Sequence, residues 1–228
     1  MSPDDWQVVR LSLLVGIVAV AAALPFAFAL AYALARGRFP GRVLLDAIVH
    51  LPLVLPPVVT GWLLLLAFGR QGAIGAWAEK WLGLTFMFRW TGAALAAAVM
   101  ALPLMVRAMR LSIEAVDRRL EGAARTLGAG PWRTFLTITL PLSLPGVAAG
   151  LVLGFARAIG EFGATISFVS NIPGETRTLP LAIYTALQIP GEEQAVLRLA
   201  LISVALSLGA LVACELLARR MGRHAHVL

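Results

Sequence analysis

The chain has 228 residues, of which 60% are hydrophobic and only 14% charged, with a formal net charge of +7. That balance excludes an ordinary soluble globule and a disordered chain, and it points to an integral membrane protein with one domain, residues 1–228. Nucleic-acid binding is a poor reading of the positive charge, because the arginines fall between apolar runs, as in loops held on the inner side of a membrane.

The first predicted element is Leu11–Ala35, which contains no charged residue and exceeds the roughly 20 apolar residues needed to cross a hydrocarbon layer about 30 Å thick. A cleaved signal peptide would have a shorter apolar core and a basic start. Here Asp4 and Asp5 open the chain, so the segment is expected to stay in the mature protein. Gly41 to His50 reads as a short interfacial helix carrying Asp46 and His50, with Pro52 bending the chain into a second span, Leu51–Gly69. Pro56-Pro57 breaks that span internally, and irregular backbone at such depth survives only against protein or a water-filled cavity, so this face is expected to point inward. Trp90–Val106, Pro145–Thr165 and Leu199–Ala218 follow, giving five crossings. Between the last two, Thr178 and Pro180 cap a short apolar helix ended by Pro190-Gly191, too short to cross at roughly 10 residues.

If the N-terminus lies outside, the inner side holds twelve Arg and Lys residues and the outer side seven. The inner excess fixes the reading: N-terminus outside, C-terminus inside. Cys214 is the sole cysteine, so no intrachain disulfide is possible, and His50, His224 and His226 are too scattered for a metal site. In the fourth span Gly146, Gly150 and Gly154 recur at four-residue steps, which lets another helix backbone approach closely. That partner is either within one subunit or across a subunit interface or moving helix pair.

The arginine-rich inner loop, residues 107–141, holds a further helix. Asp117 is placed to cap it, and Gly128 with Gly130-Pro131 supplies its stop. Leu120, Ala123, Ala124 and Leu127 follow the i, i+3, i+4, i+7 pattern and form one narrow apolar ridge. Arg118, Glu121 and Arg125 occupy the other side, with Glu121 four residues before Arg125 in the favourable order. Such a ridge fits a groove on another protein better than a membrane surface, since its apolar area is small. A basic loop that merely fixes topology is the competing reading.

The punctuation after the helix favours the first. From Gly128 the chain runs nine residues to Ile138, then Leu140 and Pro141. This resembles the EAA loop of ABC importer permeases: an acidic residue, small residues, a glycine, then I-x-L-P. Glu121 lies seven residues before the glycine rather than the commoner six, and Gly122 takes the usual acidic place. The resemblance implies an all-α, type I permease in the inner membrane that works as a homodimer. It also implies a coupling helix, with Leu120, Glu121, Ala123, Ala124, Leu127 and Gly128, that docks into an ABC ATP-binding subunit.

The chain cannot supply its own nucleotide site. A phosphate-cradling G-x-x-x-x-G-K-[ST] loop needs a lysine after glycine, and the only lysine, Lys80, follows Glu79. ATP and Mg are therefore expected on the partner subunit, with no cofactor and no catalytic residue here. Two ionisable residues lie within the predicted fourth span, Arg157 and Glu161. With a helix starting near Pro145 they fall about 18 and 24 Å along it, as i, i+4 neighbours. With Pro56 and Pro57 they are candidates for the pathway or gate; a structural ion pair is the alternative.

From Ala156 to Leu199 the sequence ARAIGEFGATISFVSNIPGETRTLPLAIYTALQIPGEEQAVLRL is similar to molybdate transporter permeases. Sulfate and thiosulfate permeases share the A-R-A-x-G-E core, and tungstate is a further alternative. The resemblance implies a periplasmic molybdate-binding protein as donor. Selectivity is better placed in such a receptor than in a deep cationic trap, because a conduit must release its cargo. A channel or scaffold without ATP coupling is the reading from another class.

Overall fold

A computed structural model describes residues 3–225, and among them the chain is all-helical, without a strand. The first rod, α1 (Pro3–Arg36), opens on Asp4 and Asp5 and closes on Arg36, charges that suit both ends of the helix dipole. α2 (Arg42–Val54) and α3 (Pro57–Phe68) form a pair bent by 115°. After α4 (Ala73–Leu82) comes α5 (Trp90–Ala115), the central helix, followed by α6 (Arg118–Thr126) in the arginine-rich loop. α7 (Pro131–Thr134), a π turn (Phe135–Thr139) and α8 (Leu140–Ile159) run on as one apolar rod. α9 (Gly163–Val169), α10 (Leu179–Leu187) and α11 (Glu193–Ala225) follow. Among the described residues four helices are long and apolar enough to cross a membrane, or five if the bent pair makes one span.

The core is built on α5, whose Ala93, Ala96, Ala97, Ala101, Met105 and Met109 are buried against α1, α8 and α9. In lipid there is no water to expel from between helices, so close backbone approach through small residues carries much of the association. The glycine stripe belongs to this seam. A Cβ on Gly146 would collide with Ser112, one on Gly150 would stand 2.9 Å from Met109 Cε, and one on Gly154 2.7 Å from Met105 Cγ. These three positions therefore pack α8 on α5 within one copy of the chain and are not available to a second copy.

Several predicted boundaries move, each for a local reason. The interfacial helix predicted to end at His50 continues through Pro52 to Val54. The break comes later because a residue before proline is pushed into extended backbone: Leu55 sits at φ −70°, ψ 143° and Pro56 at φ −54°, ψ 133°. The fourth span starts earlier, at Pro131, and stops at Ile159 rather than Thr165. Its π turn sends the Leu140 N–H back to Phe135 O, which loosens the helix just before Pro141, where a regular turn would meet the proline ring. Thr178 precedes α10 but makes no side-chain cap; Ser12 Oγ on α1 accepts the Leu179 N–H instead, at 2.7 Å. His226 lies outside the described residues.

Candidate coupling surface and charged break

Local chemistry shapes α6 at both ends. Asp117 Oδ1 accepts the Arg119 N–H at 2.8 Å, the expected N-cap. At the other end Gly128 takes φ 85°, its N–H donates to Arg125 O, and the Ala129 N–H donates to Ala124 O, each at 3.0 Å. These bonds form a Schellman stop, which needs the left-handed backbone that glycine accepts.

The apolar ridge is left open. Leu120 is 48% exposed and Leu127 89% exposed, Ala123 is exposed and Ala124 half-buried. Among the described residues none covers Leu127, a large apolar side chain at the end of a capped helix.

Glu121 does something different from its neighbours on α6. Its carboxylate does not pair with Arg125, as the i, i+4 spacing implies, but turns into the bundle. Oε1 accepts from Arg36 Nη2 at 3.0 Å and from Thr139 Oγ1 at 2.8 Å. Arg36 Nη2 also donates to Val116 O at 3.0 Å. One cluster thus joins α6 to the last turn of α1, to the residue after α5 and to the π turn that leads into α8. Arg36 was legible in sequence only as a topology charge, since its partner lies 85 residues away.

A second set of ion pairs fastens α2 to α5 at the same end. Arg110 Nη1 contacts Asp46 Oδ1 at 3.0 Å, and Arg110 Nε contacts Glu114 Oε1 at 2.9 Å. His50 Nδ1 stands 3.3 Å from Asp46 Oδ1. These charges fix α2 against the bundle at the level where α5 leaves its apolar stretch.

The charged break lies deeper. Glu161 does not share a helix with Arg157: α8 ends at Ile159, and Glu161 sits in the gap before α9. Its Oε1 accepts the Ala164 N–H at 2.8 Å, so the carboxylate caps α9 and satisfies one of its free N–H groups. Arg157 Nη1 stands 2.6 Å from Oε2, close enough for an ion pair, although its N–H is not aimed at that oxygen. The Glu161 side chain is 2% exposed. A Cβ on Gly16 would lie 3.0 Å from Phe155 Cε2 and 3.3 Å from Ile159 Cγ1, so α8 stops level with Gly16, about 20 Å of helix short of the Pro3 end of α1.

Pro56 and Pro57 belong to the same region. A Cβ on Gly163 would stand 2.7 Å from Pro57 Cβ, and one on Gly61 2.6 Å from Ala164 O. The start of α3 is thus laid against the start of α9, and all four pathway candidates converge. Pro56 and Pro57 are nevertheless exposed on the single chain, beside Val54, Val58 and Trp62, so this face is not turned into the bundle that carries it.

The family of binding-protein-dependent transport system inner membrane components matches residues 14–223. The molybdenum transport system permease protein ModB of Escherichia coli (strain K12) is 59% identical over 219 residues, 96% of each chain. The sulfate transport system permease protein CysW of Synechococcus elongatus is 37% identical over 223 residues, 97% of this chain and 77% of that one. Among solved structures, a bacterial alginate ABC transporter in complex with its alginate-bound periplasmic protein aligns with a TM-score of 0.76 at 18% identity, over 97% of this chain and 80% of that one, which speaks for the fold alone. The chain therefore belongs to the family of inner membrane components of binding-protein-dependent transport systems.

Proposed function

We propose that the chain is the permease of an ATP-driven molybdate importer. The observation that carries the cargo is the difference in likeness across nearly the whole length, 59% identity to a molybdenum permease against 37% to a sulfate permease. In this reading the ridge of Leu120, Ala123, Ala124 and Leu127 docks into a separate ATPase that holds ATP and Mg2+, with Gly128 ending the helix and Glu121 anchoring it. A periplasmic molybdate-binding protein delivers the ion, the N-terminus lies outside, and two copies of the chain form the conduit. The exposed break at Pro56-Pro57 supports a second copy, since broken backbone at that depth needs protein or water against it rather than lipid.

The Arg36–Glu121 cluster supplies the mechanical link. Movement of α6 by the ATPase is passed at once to the ends of α1, α5 and the α8 rod, a rigid-body change of the rocking kind. Deeper in the bundle Arg157 offsets the charge of Glu161, which would otherwise repel a dianion.

Uptake into vesicles containing the chain, its ATPase and its receptor tests the reading. ATP-dependent accumulation of molybdate is expected. Accumulation of sulfate with no molybdate would overturn the cargo, and flux without ATP would overturn the coupling.

A further inference from the structure

Beside the Arg36–Glu121 cluster lie two pockets of contrasting character that adjoin at Tyr32 and together form one candidate cleft. The polar half, about 510 Å³, opens between the end of α1 and α6 and includes Arg36, Arg118, Arg125 and Glu121. Three guanidinium groups face one carboxylate there, and that carboxylate is already held by Arg36. Arg118 and Arg125 are exposed and, among the described residues, form no ion pair. Arg36 Nε is buried with no hydrogen-bond partner.

The apolar half is a groove of about 450 Å³ lined by Phe28, Tyr32, Trp132 and Phe135. The ring centroids of Trp132 and Phe135 are 5.4 Å apart in a stacked pair, and Tyr32 meets Phe135 edge-on at 5.3 Å. Trp132 is 71% exposed. Tyr32 lines both halves. Phe28, Tyr32 and Arg36 follow at four-residue steps along one face of α1, so the surface passes from apolar to cationic toward the end of the span. Trp and Tyr at that level are the side chains that suit a membrane–water boundary.

We propose that this cleft binds an anionic glycerophospholipid, its phosphate against Arg118 and Arg125 and one acyl chain along Phe28, Tyr32 and Trp132. A soluble oxyanion would use the basic half and leave the aromatic groove empty, and a neutral lipid would leave two guanidinium groups unmatched. Two pockets that meet at Tyr32, apolar on one side and cationic on the other, fit an amphiphile with a negative head. Seated there, the headgroup rests on the side of α6 that turns toward the bundle, and lipid charge helps hold the coupling helix. The inference rests on the membrane reading alone, so its failure would leave the cargo assignment intact.

The test is native mass spectrometry of the full chain released from nanodiscs of phosphatidylglycerol or of phosphatidylcholine. Phosphatidylglycerol should be retained over phosphatidylcholine by roughly tenfold or more, since a basic side chain near an anionic lipid contributes several-fold in affinity and two act together. Arg118→Gln with Arg125→Gln should abolish that preference, and Trp132→Ala should lower retention of both lipids. Equal retention of the two lipids by the unaltered chain would overturn the proposal without recourse to any variant. So would undiminished preference in the double variant, displacement of the lipid by inorganic phosphate, which would make the cleft a soluble-anion site, or its loss whenever the ATPase is bound, which would make it a protein interface.

Discussion

Two arginine–glutamate pairs organise this molecule, and they sit in opposite surroundings. Arg36–Glu121 lies at the edge of the bundle, shares its atoms with Val116 O and Thr139 Oγ1, and joins four pieces of chain. Arg157–Glu161 lies inside, with the carboxylate 2% exposed and spent on the start of a helix that begins within the bundle. The outer pair ties these pieces of chain together, which in the proposed function lets it carry movement between them. The inner pair spans the break between α8 and α9, and its carboxylate caps the second of these helices.

That contrast gives ordered expectations. Glu161→Ala removes both the partner of Arg157 and the cap of α9, and breaking a buried pair in this way costs about 3–5 kcal/mol. Thermal unfolding of the purified chain should show a correspondingly large loss, and an unchanged midpoint would contradict the inner pair's structural weight. Glu161→Gln separates structure from transport, because its amide oxygen can still accept the Ala164 N–H. It should stay in the membrane at near-normal abundance and lose uptake; full uptake would remove the break from the pathway.

At the outer region the effects fall on coupling. Proline cannot adopt the φ of 85° found at Gly128 and has no N–H to give Arg125 O. Gly128→Pro should therefore leave abundance intact while ATP hydrolysis proceeds without uptake, and normal uptake would count against the docking role. Ala123→Asp is gentler: on an exposed helix face it should change stability by no more than about 0.5 kcal/mol. Its reduced uptake is read against unchanged unfolding; unchanged uptake would take Ala123 out of the contact.

The two regions also differ in how far they could be read from sequence. The ends of α6 are written locally, in Asp117 and in Gly128, so spacing alone placed them within a residue. The long apolar runs likewise announced the spans, although helices continued past the hydrocarbon length wherever capping and packing allowed. The break was harder. Residues 162–165 carry no charge, and apolar length carries the expected fourth span on through them to Thr165. α8 ends at Ile159 with Gly160 as its cap, and α9 starts afresh with the Glu161 carboxylate accepting the Ala164 N–H, a side-chain choice that hydropathy does not register. Arg36 is not legible as a positioning residue because its partner is distant in sequence, and spacing alone pairs Glu121 with Arg125, the nearer cation. Pro52, expected to bend the chain, lies inside α2, and the break falls about one turn on at Pro56-Pro57, where the sequence also places one, with Leu55 held extended.

The central claim, that the open ridge of α6 is a seat for the ATPase, is tested most directly by thiol labelling of Leu127→Cys on a Cys214→Ser background, with and without the ATPase bound. Leu127 is 89% exposed in the chain alone, so rapid labelling is expected there and strong protection in the assembled complex. Equal labelling rates in the two preparations would show that the ridge is not where the partner sits.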